Sequence, residues 1–410
     1  VIPFINKQYI ITILTLSALF IAVIFLGKIK FGSNQFITDE MQLEYEVFPL
    51  WEARGISAYH GIPVALAVDE STQEASAGSI SVPPTRPMLT HPPFAYYLGY
   101  LLYILFHGKW YLINYVLSFI SAILIYATVC LLCYHRFRNK LHLPALFAFL
   151  IYITNPFVMK TQMHIYHPDT VVQAEIIGLT YIALKMIMRK QVSAIKYLLF
   201  FSILNFIMVY TSWIGVLFSL TITCYGIVNL RKGYSFSHIV LLSLLSSLLA
   251  LSLFTMQYGR EIGLENYLRL LANTYLQESE IKYIFAFNLN GAFIASIYKL
   301  LRYYFEAYWP IYLSIFIFVL FALTGKGKKI IFTKNGYRYL VLAILPVMMS
   351  HLLLMSYSLT LPYSLLYALS FLSVMMGILF EKIYKSALFD KYIFFILSSI
   401  PILAQLISGK

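Results

Sequence analysis

The chain has 410 residues, 60% of them hydrophobic and only 11% charged, with a mean hydropathy of +0.77. That balance excludes a soluble globular class and identifies a polytopic membrane protein. The net charge of +13 comes largely from clusters in short loops between apolar runs: Arg136 to Lys140, Arg189-Lys190, Arg231-Lys232, Lys326 to Lys334 and Lys382 to Lys385. This is the positive-inside pattern, so the basic balance carries no expectation of a nucleic-acid partner.

The first apolar run, Ile10 to Leu26, is long enough to cross a bilayer core of ~30 Å and is read as an anchor, because no Ala-x-Ala-like site follows it. Next comes a first outer loop, 30–108, carrying Asp39, Glu40, Glu44, Glu46, Glu52 and His91 around a Ser/Gly/Pro-rich middle from Glu70 to Pro87. Within it, Pro92 to Phe106 is apolar but short. Counting it as a crossing would invert every later loop and put Arg136 to Lys140 outside, so it is laid along the outer interface, where its four tyrosines suit the headgroup layer.

The remaining pattern predicts an all-α polytopic bundle of eleven crossings, starting from an inner N-terminus, in a single transmembrane domain over 1–410. The crossings fall at 9–29, 110–133, 143–160, 170–188, 196–212, 213–230, 237–256, 307–324, 338–357, 359–380 and 391–408. A second large outer loop, 257–306, has Leu264, Leu268, Leu271 and Tyr275 at near-helical spacing, which predicts an amphipathic interfacial helix. With this threading, only Glu381 and Asp390 among the acids fall on the inner side. Acids contribute little to orientation, so their outer concentration reads as function or solvation. Cys130, Cys133 and Cys224 lie in apolar stretches, too few for a disulfide framework and without a second ligand pair for zinc.

Nucleotide-activated substrates are scarce outside a cell membrane, so an outward-facing enzyme in lipid commonly draws its activated group from a lipid carrier. A carboxylate at the surface then serves as general base toward an incoming hydroxyl, and cations stabilise the leaving lipid phosphate. Asp39 and Glu40 fill the first role; His91, Lys160, Arg260, Arg269 and Arg302 are candidates for the second. Asp169 lies in His167-Pro168-Asp169 at the start of the fourth crossing, where it also fits a helix N-terminal cap. His91, His164 and His167 with nearby carboxylates admit a divalent metal, although their spacing matches no compact motif. Trp213, at an outer turn, suits a belt position better than a sugar platform.

Three motifs in order, Thr38-Asp39-Glu40, Thr90-His91-Pro92-Pro93-Phe94 and His167-Pro168-Asp169-Thr170, resemble those of the dolichyl- or polyprenyl-phosphate-sugar-dependent glycosyltransferases of the GT-C class. The likeness is greatest to the protein O-mannosyltransferase and aminoarabinose transferase relatives, and it includes the span layout and the large first outer loop. It implies a GT-C-like fold, Asp39 as catalytic base with Glu40 beside it, His91 near the carrier phosphate, and Asp169 at the second acidic position of the cavity, with His167 next to it. An acid two residues from Asp169 is lacking, so the metal pattern of oligosaccharyltransferases is not reproduced.

The expected activity is therefore an inverting transfer from a polyprenyl-phosphate sugar to an acceptor hydroxyl on the outer face of a prokaryotic inner membrane. The acceptor stays open between protein, lipid and glycan. A transporter or flippase is the rival from another class. It would place acids within spans, where only Glu175 is found. A non-catalytic membrane subunit is the second rival.

Overall fold

A computed structural model describes residues 7–31, 39–59, 62–66, 85–87, 92–107, 109–133, 141–162, 168–189, 195–278, 291–324, 334–353, 365–386 and 391–407. The chain begins with α1 (Lys7–Phe31), followed by α2 (Asp39–Arg54). Two short antiparallel strands, β1 (Val64–Leu66) and β2 (Thr85–Pro87), then pair Ala65 with Arg86. The helices α3 (Phe94–Leu105), α4 (Trp110–Leu132), α5 (Leu143–Ile153), α6 (Pro156–Thr161) and α7 (Pro168–Arg189) come next. They lead to α8 (Ile195–Val209), α9 (Trp213–Val228), α10 (Tyr234–Ile262) and α11 (Leu264–Glu278). The chain closes with α12 (Gly291–Thr324), α13 (Lys334–Leu353), α14 (Leu365–Ser386) and α15 (Lys391–Ile407).

Among the described residues every expected crossing overlaps helix, and the protein is an all-α integral membrane protein with one short antiparallel strand pair among them. Ile10–Ile29, Leu112–Leu132, Pro168–Met188, Ser235–Ile262 and Leu365–Tyr384 are each long and apolar enough to cross a bilayer. At the centre, α14 packs on α4, α5 and α7, while α10 packs against α8 and α9. Tyr126, Phe149, Tyr152, Tyr339 and Tyr367 lie fully buried in the main core.

The structure revises three boundaries. The crossing expected at 143–160 is two helices, because Asn155 ends one and caps the next, its Oδ1 accepting from Phe157 N at 2.9 Å, with Pro156 at the first helical position. Such a break is tolerable in lipid only where neighbours meet the freed polar groups. Here Asn155 Nδ2 donates to the Ala307 carbonyl at 3.1 Å, and Thr154 Oγ1 donates to Gln405 Oε1 at 2.6 Å. Second, α12 starts at Gly291 rather than near residue 307, so Arg302 lies within a helix and not ahead of one. Third, α8 and α9 have 15 and 16 residues, about 22–24 Å at 1.5 Å per residue, shorter than a ~30 Å bilayer core. Their connecting turn is the three residues Tyr210 to Ser212.

The α8–α9–α10 layer is held by a polar seam. Asn205 Nδ2 donates to Ser246 Oγ at 2.8 Å and Ser247 Oγ at 3.1 Å, and Thr223 meets Ser243 at 2.7 Å. Interhelical hydrogen bonds of this kind glue helices where lipid supplies no hydrophobic drive. Gly263, at φ 82°, turns the chain out of α10 into α11 by adopting a left-handed conformation that costs glycine little.

The expected topology, eleven crossings from an inner N-terminus, has a direct consequence. In a cysteine-free background, a single cysteine at residue 139 is expected to be labelled from the inner side only and one at residue 410 from the outer side only. Labelling of 139 from outside would mean a wrong number of crossings.

Candidate active site

The first acidic pair is mounted on an aromatic platform. The backbone makes Asp39 and Glu40 the first two residues of α2, at a helix N-terminus. At the other end of α2, Val47, Phe48 and Trp51 are buried, one helical face apart from the exposed Glu52 to Arg54. They rest on α3: Phe48 lies 5.9 Å from Tyr100 and 5.6 Å from Tyr103, and Trp51 stacks 5.7 Å from Tyr97. Tyr97, Tyr100 and Tyr103 thus carry the helix of the acidic pair.

α3 is in turn fixed from below. Phe94 N, directly after Pro92-Pro93, donates to the Tyr210 carbonyl at 3.1 Å. The Tyr210 hydroxyl donates to Gln257 Oε1, and Gln257 Nε2 donates to Tyr97 Oη at 3.2 Å. Burial holds the Tyr97 phenol above its ordinary pKa despite those hydrogen bonds, so it stays neutral. Trp213 packs edge-on at 5.2 Å against Phe254, in the same cluster.

Asp169 occupies the first turn of α7 and is fully buried. Tyr367 of α14 donates its hydroxyl to Asp169 Oδ1 at 2.5 Å. One turn further along, Gln173 accepts from Tyr152 Oη at 2.9 Å and donates to the Leu366 carbonyl at 2.8 Å. Tyr308 of α12 also donates to the neighbouring Leu365 carbonyl. The second acidic position is thereby locked to α5 and α14, and α14 in turn to α12. It sits inside the first turn rather than at the cap, and its carboxylate is held by a phenol.

The expected cations are dispersed. Arg302 is exposed and donates through Nε to Glu306 Oε1 at 2.7 Å, one turn along the same helix. That contact holds its guanidinium pKa above the ordinary value. Lys160 and Arg269 are exposed on α6 and α11. Arg260, in the last turn of α10, is exposed and edges a groove of about 590 Å³ whose walls include Leu248, Leu251, Met256 and Leu264. It lies three residues beyond Gln257, nearly one helical turn, and so beside the platform. A second groove, of about 690 Å³, runs between α12, α13 and α14, and its lining is apolar except for Tyr304, Tyr312 and His351. His91, His164 and His167, and the side chains of Asp39 and Glu40, lie outside the described residues. Among the described residues no three His, Cys, Asp or Glu side chains come together as a metal would need.

Tyr367, Gln173, Tyr97 and Gln257 were not legible as site residues, since each gains its meaning from a partner far away in sequence. Arg302 and Glu306 carried a local signal, the four-residue spacing of opposite charges on one helix.

No protein-family model matches the sequence, and no curated protein matches it. Among solved structures, the crystal structure of ArnT from Cupriavidus metallidurans bound to undecaprenyl phosphate matches with a TM-score of 0.58 at 12% identity, over 89% of this chain. The chain spans 60% of that structure's length. ArnT is a GT-C glycosyltransferase, and the fold of this chain is GT-C-like.

Proposed function

We propose that the protein is an inverting glycosyltransferase that takes a sugar from a polyprenyl-phosphate carrier and passes it to an acceptor hydroxyl on the outer face of a prokaryotic inner membrane. The observation that carries this reading is the convergence of three parts on one aromatic cluster: the helix that begins with Asp39, the helix that follows His91-Pro92-Pro93, and the end of α10 that bears Arg260. The undecaprenyl phosphate bound by the structural neighbour supports it.

In this mechanism the carrier's tail lies along the apolar wall of the α10 groove and its phosphate meets Arg260 and His91. Asp39, with Glu40 beside it, takes the proton of the acceptor hydroxyl as that oxygen bonds to the anomeric carbon. The bond from that carbon to the phosphate oxygen breaks on the opposite face, which inverts the configuration. Negative charge collects on the departing lipid phosphate, where fixed cations stabilise it. Asp169, held by Tyr367, shapes the acceptor side together with His167. Arg269 and Lys160 supply positive potential at the rim. Arg302 ranks behind Arg260 for the phosphate because its charge is already met by Glu306.

Binding of undecaprenyl phosphate to the purified protein, followed by native mass spectrometry, tests the assignment. Arg260→Ala and His91→Ala should each weaken binding by about tenfold or more, the worth of a charge-assisted hydrogen bond, and Arg302→Ala should change it less than twofold. Wild-type affinity in both of the first two variants would remove the phosphate from this end of the fold.

A further inference from the structure

Glu175 is a buried acid that the mechanism above does not use. It lies on α7 six residues beyond Asp169, about 9 Å deeper along the helix axis. Its Oε1 is 2.9 Å from Thr211 Oγ1, while its Oε2 meets no hydrogen-bond partner and no cation pairs with it among the described residues. Thr211 Oγ1 is also 2.7 Å from the Ile207 carbonyl, which can only accept. A hydroxyl has one proton, so both contacts are satisfied when Thr211 donates to Ile207 and Glu175, as the neutral acid, donates to Thr211. The neutral form leaves only a carbonyl-type acceptor unpaired, which proteins tolerate better than an unpaired ionised carboxylate in an apolar seam.

We infer that protonated Glu175 is a positioning residue that locks the turn Tyr210 to Ser212, and through it the start of α3, the helix that follows the His91-Pro92-Pro93 motif. Thr211, the residue gripped by Glu175, directly follows Tyr210, whose carbonyl accepts from Phe94 N and whose hydroxyl reaches Tyr97 through Gln257. The turn has little freedom of its own: Ser212 Oγ caps α9 by accepting from Ile214 N at 3.2 Å, and Gly215 packs directly against the Met208 carbonyl. The carboxyl thus ties α7, the helix of Asp169, to the seat of α3, so that both acidic motifs keep one register. The structural claim stands on these contacts; its consequence for the carrier rests on the function proposed above.

The test uses the full chain in lipid nanodiscs, with hydrogen exchange at residues 94–98 and undecaprenyl phosphate binding as separate readouts. Glu175→Leu should raise exchange at the start of α3 by about tenfold, the worth of one net hydrogen bond, and leave exchange in α14 at the wild-type rate. Glu175→Gln should stay within about twofold of wild type, because its amide donates to Thr211 as the neutral acid does. Thr211→Val, which removes the hydroxyl at similar volume, should reproduce Glu175→Leu and decides the matter if that variant does not fold. Weaker binding of undecaprenyl phosphate should accompany faster exchange. Unchanged exchange at 94–98 in Thr211→Val refutes the coupling, and a Glu175→Gln variant as impaired as Glu175→Leu refutes the neutral form. A wild-type protein that binds no undecaprenyl phosphate overturns the donor reading and leaves the exchange result to judge the coupling separately.

Discussion

Asp39→Asn should cut sugar transfer by roughly 10²–10⁴-fold, the usual worth of a positioned general base, with expression and helix content unchanged. The substitution keeps the side-chain volume and removes only the ability to accept a proton at neutral pH. At the N-terminus of α2 a neutral amide also forgoes the favourable dipole, a loss of about 0.3–1 kcal/mol that the platform of Val47, Phe48 and Trp51 can absorb. The comparison is Asp69→Asn, in the same outer loop but with no place in the three motifs, which should retain most activity. Donor binding should be near normal in both. Equal turnover by the two variants would take the base away from Asp39.

The second large effect is structural. A Cβ on Gly215 would lie 2.0 Å from the Met208 carbonyl oxygen and 2.7 Å from its carbon, so Gly215→Ala forces two helices apart at a backbone contact. Overpacking of this kind costs about 1–3 kcal/mol where side chains can yield, and here the obstacle is main chain, so a loss of about 3 kcal/mol or more is expected. Gly178→Ala is the matched control, because its Cβ would meet side-chain methyls alone, Leu204 Cδ2 at 3.1 Å and Leu124 Cδ1 at 3.6 Å, and no main chain. Thermal denaturation in detergent should show Gly215→Ala unfolding far below wild type and Gly178→Ala close to it. Similar midpoints for the two would show that the α8–α9 turn is looser than its geometry implies.

Much of the fold was legible because each buried helix announces itself as an apolar run bounded by charge. The Asn155-Pro156 break had a local signal as well, a capping side chain ahead of a proline. What was not legible followed from length and from distance. α8 and α9 read as full crossings because the tight turn between them is itself polar and short. Their shortness appears only when 15 and 16 helical residues are set against the bilayer. α12 hid its first half, 291–306, because Lys299, Arg302 and Glu306 interrupt the apolar pattern while leaving the helix intact. Of the site, Asp169 could be read from its motif, but its partner Tyr367 is 198 positions away and nothing local marks it. Glu175 stood out as an acid within a span. That it meets Thr211 in the turn that seats α3 is a matter of packing that no periodicity reveals.

The central claim is transfer from a lipid-phosphate sugar, and turnover in nanodiscs tests it most directly. Wild-type and Asp39→Asn protein would be given a panel of undecaprenyl-phosphate-linked sugars with a membrane extract as acceptor source, and released undecaprenyl phosphate would be measured with the anomeric configuration of the product. The account predicts release from at least one donor by wild type, a product of inverted configuration, and near-complete loss in Asp39→Asn. Failure of the wild type to bind or turn over any donor in the panel, or equal turnover by Asp39→Asn, would contradict it.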